Sequence, residues 1–380
     1  NDLFGAEGLS LVAGLRVEYE KMRLDYDYGG CMDYGVELTS PMMPLVLEGL
    51  SDDSRFRGSL KHDYVQWLPK VALQYHFSAQ NNVYVSWSKG YRSGGYNVQM
   101  FSDLVQGDLK SRMMRSVKNK TAETLDGPMY DHMPEAVKQM IVHQIPQEEF
   151  SGTPAQTRFK PEYSYNYEAG GHFSFSDGKI QLDAVFYMDV YDQQISKFVS
   201  SGLGRVMVNA GRGRSCGTEI GLRGGWLDNR LTWHASYGYT HSVFKRYEAQ
   251  EARAETAQEA VNYNGNHVPF VPMHTLAAGV EYEQPLEHHK VKSYFFGVNT
   301  TGAGKIYWSE DNAFHQPFYA LLNAHAGLDF GSVCIDIWGK NLTDTDYDAF
   351  FFTSAATTRN LKFGQRGNPL QFGVDVSLHF

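Results

Sequence analysis

Cysteine, long apolar runs and positive charge are all scarce in this chain. It has three cysteines among 380 residues, at Cys31, Cys216 and Cys334. They are too few and too scattered for a disulfide framework or a cysteine-ligated zinc site. No run of 18 uncharged apolar residues exists, which excludes a transmembrane helix. With 34 Lys and Arg against 43 Asp and Glu, the net charge of -9 argues against a general nucleic-acid binder, so we expect no nucleic-acid partner.

Recognisable catalytic motifs are also missing. The chain has no GxSxG, HExxH or Walker sequence, and the glycine-rich stretch 211–217 lacks the GxGxxG spacing. The adjacent residues His288 and His289 in "EHHK" would point to opposite sides of a strand, so a solvated turn is the simpler interpretation than a metal site. We therefore predict no catalytic residues, no resident metal and no cofactor, and we expect that the protein is not an enzyme.

The chain is rich instead in aromatic residues and in strict alternation of polar and apolar positions. It carries 24 Tyr and 23 Phe. In the closing segment "LQFGVDVSLHF" the apolar residues occupy every second position up to Phe380. The same alternation recurs in "SLVAGLRVEYE", "KIQLDAVFYMDVY", "RLTWHASYGYTH" and "ALLNAHAGLDF". Side chains alternate across a strand, so each segment has one apolar and one polar wall, and each is long enough to cross a membrane at a tilt.

The connections between these segments alternate in length, apart from one short connection at 200–205 among the long ones. The short ones are 78–82, 176–179, 227–230, 284–290 and 330–332, and the long ones are 29–55, 101–159, 247–267, 301–316 and 344–367. A soluble β-sandwich would explain the aromatic residues alone but gives no reason for this sorting. The pattern predicts an all-β, antiparallel up-and-down transmembrane β-barrel of about twelve strands, with short periplasmic turns and long extracellular loops. Phe380 would then face lipid at the periplasmic rim.

Several segments resemble the TonB-dependent outer-membrane receptors, and they fall in that family's order. They are 67–97 ("WLPKVALQYHFSAQNNVYVSWSKGYRSGGYN"), 209–226 ("NAGRGRSCGTEIGLRGGW"), 262–275, 338–354 and the closing strand. The iron-chelate branch, from a Bacteroides-like bacterium, is the most similar. The resemblance implies a barrel of about 22 strands around an amino-terminal plug. Residues 1–380 would then be a partial barrel domain that lacks the plug. A complete twelve-stranded barrel is the alternative, since even strand numbers from about 8 upward close.

The resemblance also implies a function and partners. The expected protein is an integral outer-membrane receptor for TonB-dependent active uptake of a metal chelate, either a ferric siderophore or heme. The TonB complex would engage an amino-terminal segment outside this chain, and the barrel would contact outer-membrane lipid and lipopolysaccharide. Uptake of cobalamin or of an oligosaccharide remains open, and so does a passive porin or adhesin. An outer-membrane enzyme is disfavoured by the missing catalytic set.

The predicted extracellular loops mix aromatic side chains with cations. Such groups suit an anionic, partly aromatic metal chelate, because rings stack on its planes and cations meet its charge. Ordinary interface and loop residues are the simpler interpretation of each loop alone. The candidate ligand-binding residues are Tyr91, Arg92, Lys305, Tyr307, Trp308, His315, Phe350, Phe351, Phe352, Arg359 and Arg366.

Polar positions of the alternating segments predict the inner wall of the barrel. Charged residues there would contact a plug or a passing solute, or would form a wet wall without a further role. By parity the wall contains Arg16, Glu18, Glu168, Asp183, Asp189, Glu219, Arg223, Asp336, Lys340 and Asp375.

The insert at 101–159 differs from the other loops. Its segment 109–120 is basic, and 133–145 has apolar residues at helical spacing after Pro134, which favours a helix start. We expect a short amphipathic helix on an extracellular loop. It could cap the barrel mouth, contact a surface lipoprotein or rest on lipopolysaccharide phosphates.

Overall fold

A computed structural model describes residues 8–38, 45–147, 149–198, 205–250, 260–287, 290–353 and 362–379. The chain forms strands almost throughout, with one helical insert. In chain order the strands and α-helices are β1 (Leu9–Leu38), β2 (Leu45–Ser78), β3 (Asn81–Arg92), β4 (Gly95–Tyr96), α1 (Met100–Leu125), α2 (Glu135–Gln144), β5 (Arg158–Phe159), β6 (Glu162–Phe175), β7 (Ile180–Phe198), β8 (Arg205–Trp226), β9 (Leu231–Arg246), β10 (Glu248–Gln250), β11 (Ala260–Asn262), β12 (His274–Pro285), β13 (Ser293–Gly304), β14 (Ile306–Tyr307), β15 (His315–Gln316), β16 (Tyr319–Asp329), β17 (Val333–Lys340), β18 (Asp348–Thr353), β19 (Lys362–Arg366) and β20 (Gln371–Leu378).

Twelve strands form one antiparallel sheet in which each strand pairs with the next long strand along the chain. The order is β1-β2-β3-β6-β7-β8-β9-β12-β13-β16-β17-β20. This confirms the predicted up-and-down arrangement and strand number. Among the described residues β1 and β20 do not pair with each other, so the sheet is open. The remaining short strands form four two-stranded pairs in the long connections.

The register places the apolar residues of all twelve strands on one face. Leu11 pairs with Leu73, which pairs with Val85, and the same row continues through Ala169 to Phe186. Side chains opposite one another in a ladder share a face, so these residues form one apolar band. Many of its members are exposed, as expected for a surface that lipid covers in a membrane. Most polar residues occupy the opposite face. This is the two-walled sheet that the alternation predicts.

The alternation of short and long connections is confirmed among the described residues. Tight turns at 176–179 and 227–230 use left-handed backbone at Asp177 and Asn229, residues that tolerate positive φ, and Gly178 adopts φ 89°. The connection at 29–55, in contrast, is not a long loop. β1 and β2 continue as a paired hairpin as far as Leu38 and Leu45, with a bulge near Tyr34.

The hairpin extends because the helical insert packs on it. A buried cluster joins β2 to the insert: Leu45, Leu47, Leu50, Val117, Leu125, Tyr130 and Ile145. Tyr34 donates a hydrogen bond to Asp52 Oδ2 (2.6 Å), Ser116 donates to Asp52 Oδ1 (2.9 Å), and Ser54 donates to Asp108 (2.7 Å). The two strands therefore gain a packed apolar surface within 29–55, where the sequence predicts a long loop.

The insert contains more helix than expected. The predicted helix at 133–145 is confirmed as α2, which begins after Pro134. The basic segment 109–120 is not a loop: it lies within the 26-residue helix α1. The apolar residues Phe101 and Leu109 are buried in the first half of α1, and Val117 and Leu125 in the second. In the described part of the chain, neither helix combines the length and the apolar character needed to cross a membrane.

Candidate ligand-binding site

Three predicted loop residues meet in one aromatic and basic group. Lys305 Nζ lies 4.8 Å from the centre of the Tyr307 ring, and His315 lies 5.6 Å from the same ring. The His267 ring stacks on Tyr307 at 4.9 Å with an interplanar angle of 8°, and His241 meets His267 edge-on at 5.1 Å. We call these five residues the basic aromatic cluster. It joins the end of β9 to the connections on either side of β12 and β13.

Sequence reasoning missed two members of this cluster. His267 lies in the segment "NYNGNHVPFVPMHT", and His241 lies near the end of β9. Neither position stands out by its neighbours in the chain. They reach Tyr307 because Val243 and His267 form a β-bridge. In addition, the His267 N–H donates to Asn312 Oδ1 (2.7 Å) and Asn312 Nδ2 donates to the His267 carbonyl (2.9 Å). Only this long-range pairing of loops brings the histidines to the tyrosine.

Burial keeps His267 neutral. Burial of the ring lowers the pKa of His267 below its ordinary value, and the nearby His241 and Lys305 side chains act in the same direction. The ring therefore stacks on Tyr307 as an uncharged imidazole at neutral pH. The fixed positive charge of the cluster is then that of Lys305.

A second aromatic group holds the loops together. Phe270 stacks on Phe350 at 5.8 Å and meets Trp308 at 5.6 Å, and Trp308 lies 6.4 Å from Phe350. Trp308 is only 8% exposed. It therefore has little surface for a ligand, and its burial indicates a packing role that the sequence interpretation did not separate from contact. Phe351 packs on Phe314 at 5.1 Å beside this group.

The remaining predicted ligand residues are dispersed. Arg366 pairs with Asp348 at 3.4 Å where β18 meets β19. Arg359 and the side chain of Phe352 lie outside the described residues. Tyr91 and Arg92 lie at the end of β3, six strands away from β13 in the sheet, or about 29 Å at the usual spacing of about 4.8 Å. The structure therefore brings Lys305, Tyr307 and His315 together but leaves Tyr91 and Arg92 apart from them.

All ten residues predicted for the inner wall lie on the polar face by register: Arg16, Glu18, Glu168, Asp183, Asp189, Glu219, Arg223, Asp336, Lys340 and Asp375. Several are already engaged with neighbours. Glu168 accepts a hydrogen bond from Tyr84 (2.8 Å), and Arg223 donates to Gln181 (2.6 Å). His325 lies between Glu281 (3.1 Å) and Asp336 (3.4 Å). Contact of this wall with a plug or a solute stays a prediction.

Within the described ranges, no three His, Cys, Asp or Glu side chains are grouped so as to hold a metal ion. A shallow groove of about 410 Å³ is lined by apolar-band residues such as Tyr294, Phe296 and Ile337, and so faces lipid. The basic aromatic cluster remains the arrangement best suited to an anionic ligand with flat rings.

Comparison with known proteins gives a family and a fold. The family model described as "TonB dependent receptor-like, beta-barrel" matches residues 1–353. Among solved structures, the chain is similar to the ferric yersiniabactin uptake receptor FyuA from Yersinia pestis, with a TM-score of 0.63 and 16% identity over 99% of this chain and 44% of that one.

Two further solved structures are similar over almost the whole chain. The siderophore receptor PiuA from Acinetobacter baumannii has a TM-score of 0.58 and 14% identity over 97% of this chain and 40% of that one. The ferric-catecholate import receptor Fiu from K12 E. coli has a TM-score of 0.55 and 16% identity, over 99% and 43%. At these identities the likeness establishes the fold. The chain spans less than half the length of each of these proteins.

Proposed function

Because the chain belongs to the TonB-dependent receptor β-barrel family, whose barrels are integral to the bacterial outer membrane, we propose that it takes part in TonB-dependent active uptake of a ferric chelate. Energy would come from TonB, and the substrate would bind on the side of the long connections. Members of this family are transporters, which fits the prediction that the protein is not an enzyme. A siderophore or heme is the proposed cargo.

The basic aromatic cluster is the single observation that carries the substrate class. His267 and Tyr307 form a stacked pair of rings, and Lys305 places a cation over the Tyr307 ring. A planar anionic chelate would stack on the rings and meet the positive charge of Lys305. The names of FyuA, PiuA and Fiu, which are iron-chelate receptors, support the same class.

The expected neighbours of the barrel follow from its place in the outer membrane. Outer-membrane lipid would cover the apolar band, and the inner wall would surround the transport path. We propose contact of the helical insert 101–159 with lipopolysaccharide or a surface lipoprotein as a secondary role, supported by the basic residues Arg112 and Arg115, which are exposed on α1.

Nutrient-limited growth tests the proposal. A strain lacking the gene, the complemented strain and a strain lacking TonB are grown with one iron source at a time: ferric siderophores, ferric citrate or heme. Loss of growth on one chelate in both mutants, restored by the complementing gene, is the expected result. Normal growth of the deletion strain on every iron source, with failure on cobalamin or on a glycan, would replace the proposed cargo. Growth that depends on the gene but not on TonB would indicate a passive porin.

A further inference from the structure

A second polar site lies on the inner face of β1 and β2, close to the long-connection edge of the apolar band. Glu18 pairs directly with Gln66, and Glu20 pairs with Tyr64. Their side chains point to the same face as the inner wall, because all four occupy its parity. Tyr96, on β4, is brought to this place through Arg158: the two residues pair in register, Arg158 contacts His62 Nδ1 at 2.9 Å, and the His62 ring lies 4.3 Å from the Tyr64 ring. We call Glu20, Tyr64, Gln66 and Tyr96 the mouth cluster.

The mouth cluster contains several buried polar atoms without partners. Gln66 is only 2% exposed; its Oε1 accepts a hydrogen bond from Tyr163 (2.8 Å), but its Nε2 has no partner among the described residues. Glu20 Oε2, Tyr64 OH and Tyr96 OH are likewise buried and unpartnered there. Buried polar groups in proteins are paired as a rule, because an unpaired one loses its hydration without replacement. Four such atoms in one place indicate a site shaped for something that supplies the missing bonds.

The charged neighbours of the mouth cluster are already engaged. Glu18 forms an ion pair with Arg16 and accepts a hydrogen bond from Tyr91. Arg158 contacts His62 Nδ1 at 2.9 Å, and Lys89 Nζ lies 4.7 Å from the centre of the Tyr163 ring. The atoms still without a hydrogen-bond partner among the described residues are therefore one carboxylate oxygen that accepts, one amide nitrogen that donates, and two phenol groups that can do either.

This combination selects a neutral group that both donates and accepts. An anion would be repelled by Glu20, and an ammonium group could not accept the bond from Gln66 Nε2. A hydroxyl or an amide satisfies both residues at once. Tyr64 and Tyr96 add ring surface against which the carbon skeleton of such a ligand packs.

We propose that the mouth cluster binds the uncharged hydroxyl- or amide-bearing portion of the transported ligand. The identification of that ligand as cargo rests on the proposed function. The site is separate from the basic aromatic cluster, since in the sheet β2 lies five strands away from β9 and seven strands away from β13. A chelate with an anionic metal centre and a neutral backbone would use the two sites together.

The test is equilibrium binding to the receptor as its gene encodes it, purified in detergent, which needs no TonB. The probes are ferrioxamine B, a ferric trihydroxamate with amide groups, and maltotriose, a neutral polyol. The variants are Gln66→Leu and Glu20→Gln. The matched control is Asp63→Asn, a carboxylate of β2 on the opposite face, which accepts a hydrogen bond from Tyr19 (2.9 Å). Heat-modifiable gel mobility reports whether each barrel is folded.

We expect one probe to bind the wild type, with affinity lowered about tenfold or more by Gln66→Leu and by Glu20→Gln and unchanged by Asp63→Asn. Which probe binds distinguishes a chelate backbone from a glycan. Binding of neither probe, or unchanged affinity in correctly folded variants, would overturn the proposal and assign the unpaired atoms to water or to contact with the plug.

A purely structural role gives a different pattern. If Gln66→Leu abolishes folding, Tyr64→Phe replaces it, since that change removes one hydroxyl and keeps the ring. Loss of folding in Tyr64→Phe as well would contradict the ligand site. Failure of the proposed function is separable: the probes would still bind in detergent, whereas energised uptake in cells would not depend on TonB.

Discussion

Arginine at position 374 should prevent stable assembly of the last strand. Val374 is the fourth of eight residues in β20, is 60% exposed, and pairs with Ile337, which is 59% exposed on the same apolar band. A cation at the bilayer midplane on the lipid face of a barrel costs about 2–4 kcal/mol. Val374→Arg should therefore lower the folding equilibrium by about 30-fold to about 700-fold.

Asp375→Arg is the matched control one residue away. Asp375 lies on the inner face directly opposite Asp336, so two like charges face each other there. Arginine at 375 replaces that repulsion by an attraction and places no charge in lipid. This variant should be as stable as the wild type or slightly more stable.

The comparison is made with the full-length receptor folded into lipid vesicles. Urea titration, followed by heat-modifiable gel mobility, gives the free energy of unfolding for each variant. Equal losses in Val374→Arg and Asp375→Arg, or a larger loss in Asp375→Arg, would refute the assignment of the two faces of the sheet.

Three further predictions concern the long connections and the extended β1–β2 hairpin. Trp308→Ala should make the loops around β14 and β18 sensitive to protease, because truncation of a buried tryptophan lowers the free energy of unfolding by about 3–5 kcal/mol. Lys305→Gln, in contrast, should weaken chelate binding without changing the proteolysis. Because the pKa of His267 is lowered in the folded protein, acid favours the state in which its ring is released from Tyr307. The stacking of the two rings should be intact above about pH 6.5 and should weaken as the pH falls below that value. Tyrosine fluorescence monitors the change, which should be absent in His267→Gln. Burial and the hydrogen bond to the Asp52 carboxylate raise the pKa of Tyr34 to about 12. Docking of the insert on the hairpin should therefore hold below about pH 10 and weaken as the pH rises through 12, which limited proteolysis detects. The same transition in Tyr34→Phe would contradict this prediction.

The sheet was predictable because its signal is local. Each strand carries its own alternation, so residues such as Val374 and Asp375 reveal their faces without any knowledge of the partner strand. The order of strands also follows from the chain, since up-and-down pairing joins consecutive long strands. The ten residues predicted for the inner wall share one face of the sheet for the same reason.

The hairpin extension and α1 were not predictable in the same way. The segment 29–38 contains Gly29, Gly30 and Gly35, which is typical of a loop, yet Tyr34 donates hydrogen bonds to Asp52 of β2 and to the Met113 carbonyl of the insert. In α1 the apolar residues meet first the hairpin and later α2 as well, so Val105 and Leu125 do not lie on one stripe. Periodicity along a segment does not record a change of packing partner.

The candidate site was predictable only in part. Lys305, Tyr307 and His315 are close in the chain and were found by composition. His241 and His267 join them through pairing between separate connections, and Gln66 and Glu20 meet only because β1 and β2 are in register. Such contacts depend on tertiary structure and leave no pattern in either segment alone.

Whole-cell labelling tests most directly whether the long connections, and with them the proposed binding sites, lie outside the cell. Cys31 is exposed on the extended part of β1 and serves as a natural probe once Cys216 and Cys334 are replaced by serine. In a second variant without native cysteines, Asp228→Cys places the probe in the short turn between β8 and β9. A membrane-impermeant maleimide should label Cys31 on intact cells and should reach position 228 only after the outer membrane is opened. Labelling of position 228 but not of Cys31 on intact cells would contradict the account.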